Sequence, residues 1–287
     1  MYLKKTYPVN QLRDYSSLFM RSEISRILKD DLSSINLKID RYDKNLFNRK
    51  ITYLKYYKHL YKVLGKYYPN EYFYKNEFIN KWLKKELGSS NSVIFSEFRI
   101  GKAIADLTMF NGTSKVFEIK TELDKEYRLS GQISAYKKIF NEIYLIVPGI
   151  CLKKYENYDK NIGIISFDSD YKNFQLIRKS EKSIGPDSST IMEVLYTHEY
   201  KEIVKQYYGS LPKMTDFTQF EICSRYISQI PIDSLNVLFI NTVKKRSVHN
   251  LFFNKINSEL NQICLSLNLN KSEKEKLINN LNTQIFS

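Results

Sequence analysis

Cysteine is scarce in this chain, and Cys151, Cys223 and Cys264 are odd in number, far apart and without a C-x-x-C or a histidine at ligand spacing. That excludes a disulfide framework and a zinc ribbon, and reads as reduced, mostly structural thiols. Nine glycines and six prolines are too few for long disordered or collagenous segments. Three histidines, His59, His198 and His249, share no spacing with cysteine or aspartate, and neither a G-x-S-x-G nor a phosphate-cradling P-loop occurs. No stretch approaches the roughly 18 uncharged apolar residues of a membrane span, and the first residues lack the apolar core of a signal peptide. The expectation is a cytoplasmic protein with no membrane partner.

What the chain does have is charge of one sign. Its 287 residues carry 45 Lys and Arg against 31 Asp and Glu, a formal net charge of +14. Such a surplus favours a polyanionic partner, because each phosphate neutralised by a cation releases condensed counterions. The lysines are spread along the whole chain, so part of the basicity is a compositional habit and not a footprint. Hydrophobic residues at 43% and charged residues at 26% belong to an ordered globular protein.

Periodicity divides the sequence into three segments: a helical region over 1–69, a mixed core over 70–185 and a helical region over 186–287. Apolar residues from Leu12 to Leu28 follow a helical period, and Leu54, Tyr57, Tyr61 and Leu64 form a second stripe with Gly65 as its stop. Tyrosines at that spacing read as half-buried core before they read as a nucleic-acid surface. Asn70 caps a third helix from Glu71, with Phe78, Trp82, Leu83 and Leu87 leading to Gly88. The period then changes. SVIFSEFRI, KAIADLTMF and KVFEI alternate as strands, with a hairpin turn at Asn111-Gly112. A helix returns from Lys125 to Asn141, Ile143 to Val147 is a buried strand closed by Pro148, and GIISF with FQLIRK forms a further hairpin. Gly185-Pro186 marks a linker, and the last helix runs from Ser272 to Phe286 on a Ser272/Glu275 capping box. The fold class expected is α/β, a mixed twisted sheet in the order helix, three strands, helix, strand, flanked by helical ends.

The informative residues lie between Glu97 and Phe140. A three-residue turn at 111–113 sets Asp106 opposite Glu118, and turns of two or four residues shift the partner by one position. Either way two carboxylates meet across paired strands, while strand alternation puts Glu118 and Lys120 on one face and Phe117 and Ile119 on the other. Two carboxylates with a backbone carbonyl and waters suit Mg²⁺, and an adjacent lysine supplies a point charge. The tripeptide alone is weak, since Glu199-Tyr200-Lys201 and Asp170-Tyr171-Lys172 have the same form; the alternative is an ordinary solvated hairpin. Lys244-Lys245-Arg246 reads as a solvated helix end.

With Glu97-Phe98-Arg99, Ala105-Asp106-Leu107, Phe117-Glu118-Ile119-Lys120, Gln132 and Tyr136 in view, the chain resembles the PD-(D/E)XK, restriction-endonuclease-like nuclease superfamily. From Asn70 to Gln132 it is similar to a family of uncharacterised bacterial proteins assigned there. The resemblance implies a restriction-endonuclease-like core, with Asp106 and Glu118 as metal ligands, the Ile119 carbonyl beside them and Lys120 as the catalytic lysine. Gln132 matches the glutamine of the Q-x-x-x-Y signature of RecB-like nucleases, near the active site, with Tyr136 read as core. Glu71 matches an acidic residue that some members supply from the first helix, with Glu77 or Glu97 as alternatives and an i,i+4 partnership with Lys75 as its plain reading. Arg99 and Lys102 contact phosphate or merely solubilise an edge. Ala105 replaces the proline that names the superfamily. The implied activity is Mg²⁺- or Mn²⁺-dependent hydrolysis of phosphodiester bonds in nucleic acid, DNA before RNA, in a defence or mobile-element setting and compatible with a homodimer or a partner subunit. The rival is a catalytically inactive nucleic-acid-binding or interaction subunit of the same fold.

Overall fold

The computed structural model describes residues 7–46, 50–86, 92–124, 126–168, 171–183, 185–246 and 257–285. Within them the chain runs through α1 (Val9–Ser17), α2 (Arg21–Ile27), α3 (Ser33–Tyr42), α4 (Tyr53–Tyr67) and α5 (Glu71–Phe78), then a π-helical turn (Ile79–Leu83) and the short α6 (Lys84–Glu86). Three strands follow, β1 (Val93–Ile100), β2 (Ala103–Phe110) and β3 (Ser114–Ile119), then α7 (Leu129–Lys137), β4 (Glu142–Pro148), α8 (Leu152–Tyr155), β5 (Gly163–Asp168) and β6 (Asn173–Arg178). Helices close the chain: α9 (Ser188–Val194), α10 (Thr197–Tyr208), α11 (Gln219–Ser228), α12 (Ile232–Lys244), α13 (Asn261–Ser266) and α14 (Lys271–Leu281). None of the helices in the described residues is long and apolar enough to cross a membrane.

These elements form two units, Met1–Trp82 with His249–Ser287, and Leu83–Val248. At Gly185 the chain runs close to α12: a Cβ there would sit 2.8 Å from Ile232.

The first unit is helical. Thr52 and Asn70 cap α4 and α5 by accepting the N–H of Lys55 and Phe73. Helix α4 does not stop at Gly65 but runs through it, and the glycine serves a close approach instead: a Cβ there would lie 2.4 Å from the Phe73 ring. Tyr56 and Tyr57 are fully buried, so the tyrosine stripe is core. Their hydroxyls are paired, as burial requires: Tyr15 and Tyr56 both donate to the buried Asp43 carboxylate, at 2.5 and 2.9 Å, and Tyr57 donates to the Leu18 carbonyl. The stretch from Leu12 to Leu28 is two helices, because the chain breaks after Ser17. The final helix, α14, is capped by Asn270, whose capping box is closed by Glu273 and not by Ser272 and Glu275. Leu87, Gly88, Lys125, Asp170, His249 and Phe286 lie outside the described residues.

The second unit is a mixed α/β layer. Its six strands lie in sequence order, antiparallel from β1 to β3, parallel from β3 through β4 to β5, and antiparallel again at β6. Every residue of β4 is buried, as a strand flanked by parallel neighbours and covered on both faces must be. Helix α7 supplies the crossover from β3 to β4 and packs on the sheet through Ile133 and Tyr136, Phe140 in the turn after it meets Phe110, and Phe239 of α12 meets Phe110 as well. Arg246, expected to be a solvated helix end, is anchored: its guanidinium bridges both oxygens of buried Glu199 at 2.7 Å, lies over the Tyr196 and Phe98 rings and donates to the Val194 carbonyl. Glu199 is thereby bound to structure, which removes Glu199-Tyr200-Lys201 as a competing site. All three cysteines are free thiols.

Candidate active site

The hairpin between β2 and β3 sets the geometry. Its loop is the three residues 111–113, with Phe110 paired to Ser114 and Gly112 at φ +95°, a left-handed conformation that glycine adopts at little cost. Counting back along that register, Leu107 pairs with Phe117 and the next position sets Asp106 opposite Glu118. The backbone ladder stops at this point. Asp106 takes over as acceptor, its Oδ2 receiving the Ile119 N–H at 2.8 Å, so the carboxylate is clamped to β3. On the other side of β3 the ladder continues one residue further, with the Lys120 N–H donating to the Ile146 carbonyl of β4 at 2.9 Å.

Glu118 is the centre of the arrangement and is only 2% exposed. Its Oε1 accepts from Lys120 Nζ at 2.8 Å and from Gln132 Nε2 at 2.6 Å, and its Oε2 accepts from the Tyr136 hydroxyl at 2.7 Å. Lys120 Nζ also donates to Gln132 Oε1 at 3.1 Å, so that amide gives to the carboxylate and receives from the ammonium. Gln132 and Tyr136 are four residues apart on α7 and present one face to the strand, as helical spacing dictates. Burial, with the nearby Asp106 charge second, pushes the Glu118 carboxyl up to about 7, and the Lys120 ammonium and Tyr136 hydroxyl only partly offset this. Burial and the Glu118 charge together raise the Tyr136 hydroxyl well above its ordinary value.

Asp106, Glu118, Lys120 and Gln132 are thus brought together, with the Ile119 carbonyl between two of them in sequence. Tyr136 joins them: beyond its core position its single hydroxyl proton is given to Glu118 at 2.7 Å, with the Ile104 carbonyl 3.1 Å from the same oxygen. The Q-x-x-x-Y spacing placed its ring correctly, but nothing in periodicity distinguishes a hydroxyl that reaches a carboxylate from one that merely ends in the core. Asp124 also contributes, its Oδ2 accepting the N–H and hydroxyl of Thr121 at 2.7 and 2.8 Å and so fixing the turn that follows Lys120.

The third carboxylate is a different matter. Glu97 occupies the β1 position opposite Asp106, between the pairs Ser96↔Leu107 and Phe98↔Ala105, but it is exposed and sits at φ +59°, an unusual conformation for a side chain within a strand. Glu71, on α5 of the first unit, pairs with buried Lys75 one turn on, its plain i,i+4 reading. Glu77, also in that unit, accepts from the Tyr61 hydroxyl at 2.6 Å and pairs with Lys81. Among the described residues no three His, Cys, Asp or Glu side chains are grouped to hold a metal ion by themselves. Arg99 and Lys102 are exposed near the β1–β2 turn.

The chain belongs to the Bacteriophage P4 protein cII family, whose model matches residues 65–268 and so takes in the whole site. Protein cII of Enterobacteria phage P4 is 23% identical over 171 residues, covering 58% of this chain and 64% of that protein, which is less than two thirds of its length. A solved protein of unknown function from Silicibacter pomeroyi aligns over 45% of this chain and 89% of its own, at 12% identity and a TM-score of 0.30, a likeness too loose to carry an argument.

Proposed function

We propose that this protein is a metal-dependent nuclease of the PD-(D/E)XK, restriction-endonuclease-like type, hydrolysing phosphodiester bonds in nucleic acid, DNA before RNA. One observation carries the reading: Asp106 clamped opposite Glu118, with Lys120 and Gln132 converging on the same Glu118 oxygen. The order helix, three strands, helix, strand, with β3 and β4 parallel, supports a restriction-endonuclease-like core. A relative carried by a phage supports a mobile-element setting.

The residues fit a divalent cation. Asp106, Glu118 and the Ile119 carbonyl are oxygen donors from adjoining strand positions, and a set this small leaves further positions to water, as Mg²⁺ and Mn²⁺ accept. A carboxylate that burial and a like charge push up to about 7, against its hydrogen bonds from Lys120 and Tyr136, is one whose ionised form is only partly compensated, and a divalent cation would offset the remaining cost. When bound, such an ion would supply a more acidic water and neutralise charge developing on the phosphate.

The protein's own groups do the rest. Gln132 and Tyr136 orient Glu118 from the helix, so its carboxylate keeps one geometry. Lys120, held by Glu118 and Gln132, places a positive charge beside the acidic pair, where it steadies the attacked phosphate or the attacking water. The test is a cleavage panel of single-stranded, duplex and branched DNA and of RNA with Mg²⁺ and Mn²⁺. Cleavage is expected with at least one substrate, falling on the order of 100-fold or more in Glu118→Ala. A chain that leaves every substrate intact with both metals removes the reading.

A further inference from the structure

At the carboxyl ends of β3 and β4, beside the candidate site, three large side chains stand in solvent: Leu123 at 57% exposure, Tyr127 at 71% and Ile150 at 74%. Each is tied by a short tether to an atom of the site. Leu123 comes three residues after Lys120, and Tyr127 five residues before Gln132. Ile150 comes four residues after Ile146, whose carbonyl holds the Lys120 N–H. At roughly 3.5 Å of chain per residue, the three tethers reach at most about 11, 18 and 14 Å from Lys120, Gln132 and Ile146 respectively. The loop after Lys120 and the turn after β4 lie within electrostatic reach of each other: burial raises the Cys151 thiol with the Glu122 charge next, and burial raises the Tyr155 hydroxyl with Cys151 and then the Asp124 charge behind it.

Tyr127 differs from a stray surface aromatic in being held. The Arg128 Nε donates to its hydroxyl at 3.0 Å, and the guanidinium lies over the ring 5.2 Å from its centre. The ring is thus partnered by Arg128 while most of it stays open. Lys153 and Lys154 come three and four residues after Ile150, on α8, and add positive charge at this end of the sheet. Aromatic and apolar faces next to cations suit a strand whose bases are unstacked: the base has a π-face to lay on the ring, and its phosphates meet the cations. A continuous duplex offers no such face, because its bases already stack on one another.

We propose that Tyr127, supported by Leu123 and Ile150, is a stacking platform for an unpaired nucleic-acid strand, so that the substrate of this site is single-stranded; this rests on the nuclease reading for the position of the scissile bond. The test is fluorescence anisotropy on the full chain carrying Glu118→Ala, in EDTA, so that no probe is cut. The probes are labelled oligothymidylate and oligouridylate of about 20 nucleotides, longer than a binding site of roughly 4 to 16 nucleotides, and a blunt duplex of the same length. Binding of at least one single strand about tenfold tighter than the duplex is expected, weakened about fivefold or more by adding Tyr127→Ala and largely kept by Tyr127→Phe. Equal affinity for duplex and single strands, or undiminished binding in Tyr127→Ala, overturns the proposal. A wild-type chain that cuts nothing while this binding pattern holds keeps the platform and refutes the nuclease. One that cuts duplex while Tyr127→Ala binds normally does the reverse.

Discussion

Removing divalent metal should make the stability of this protein fall as pH rises from about 5 to 8, and the cause is one carboxyl group. Glu118 is moved from an ordinary value of 4.5 to about 7, chiefly by burial and next by the Asp106 charge. The folded state therefore keeps a proton that the unfolded chain has already released, and a state that binds more protons loses ground as pH rises. The contribution is absent below about pH 4, grows through the interval between the two values and is complete above about pH 8. At about 1.4 kcal/mol per pH unit the shift is worth at most about 3.5 kcal/mol, and coupling to Asp106 and Lys120 makes that an upper bound. Urea denaturation in EDTA at a series of pH values reads it, with Glu118→Gln as the control because an amide does not titrate. The difference in unfolding free energy between wild type and Glu118→Gln should change by a few kcal/mol across the window. Saturating Mn²⁺ should reduce the decline, since it stabilises the ionised form. Parallel profiles for the two proteins would refute the assignment of a buried carboxyl held above its ordinary value.

Two further outcomes follow from packing. Arg246→Leu should lower the thermal midpoint on the order of 10 °C by circular dichroism, because it leaves Glu199, 3% exposed at its side chain, without its cation, a loss of about 3 to 5 kcal/mol; an unchanged midpoint would mean the pair contributes nothing. Two glycine substitutions should have opposite signs in the same assay: Gly65→Ala destabilises by about 1 to 3 kcal/mol against the Phe73 ring, whereas Gly131→Ala, whose Cβ meets nothing within 4 Å, stabilises by about 0.5 to 1 kcal/mol.

The hairpin carrying the site was legible because strand alternation and turn length leave few registers: Asn111-Gly112 signals the turn, and the three-residue loop then sets Asp106 opposite Glu118. Gln132 and Tyr136 could be placed on one helix face from their spacing alone. What the residues did not display were the partners that tertiary packing selects. Arg246 looks like any basic helix end until α10 brings Glu199 to it. Gly65 reads as a stop because glycine weakens helices, and the overriding term is the Phe73 ring that needs the space of a missing Cβ. Asn270 and Ser272 offer equally good capping patterns two residues apart, and nothing local decides between them. The grouping of the chain's two ends into one unit depends on long-range packing that periodicity does not record.

The most direct test of the central claim is the initial cleavage rate in Mg²⁺ of the wild-type chain beside Glu118→Ala and Lys120→Ala, on the best substrate of the panel. Metal-dependent cleavage that EDTA stops and both substitutions reduce on the order of 100-fold or more, with circular dichroism showing folded proteins, is the predicted result. Cleavage that persists unchanged in Glu118→Ala would place the chemistry elsewhere and contradict it.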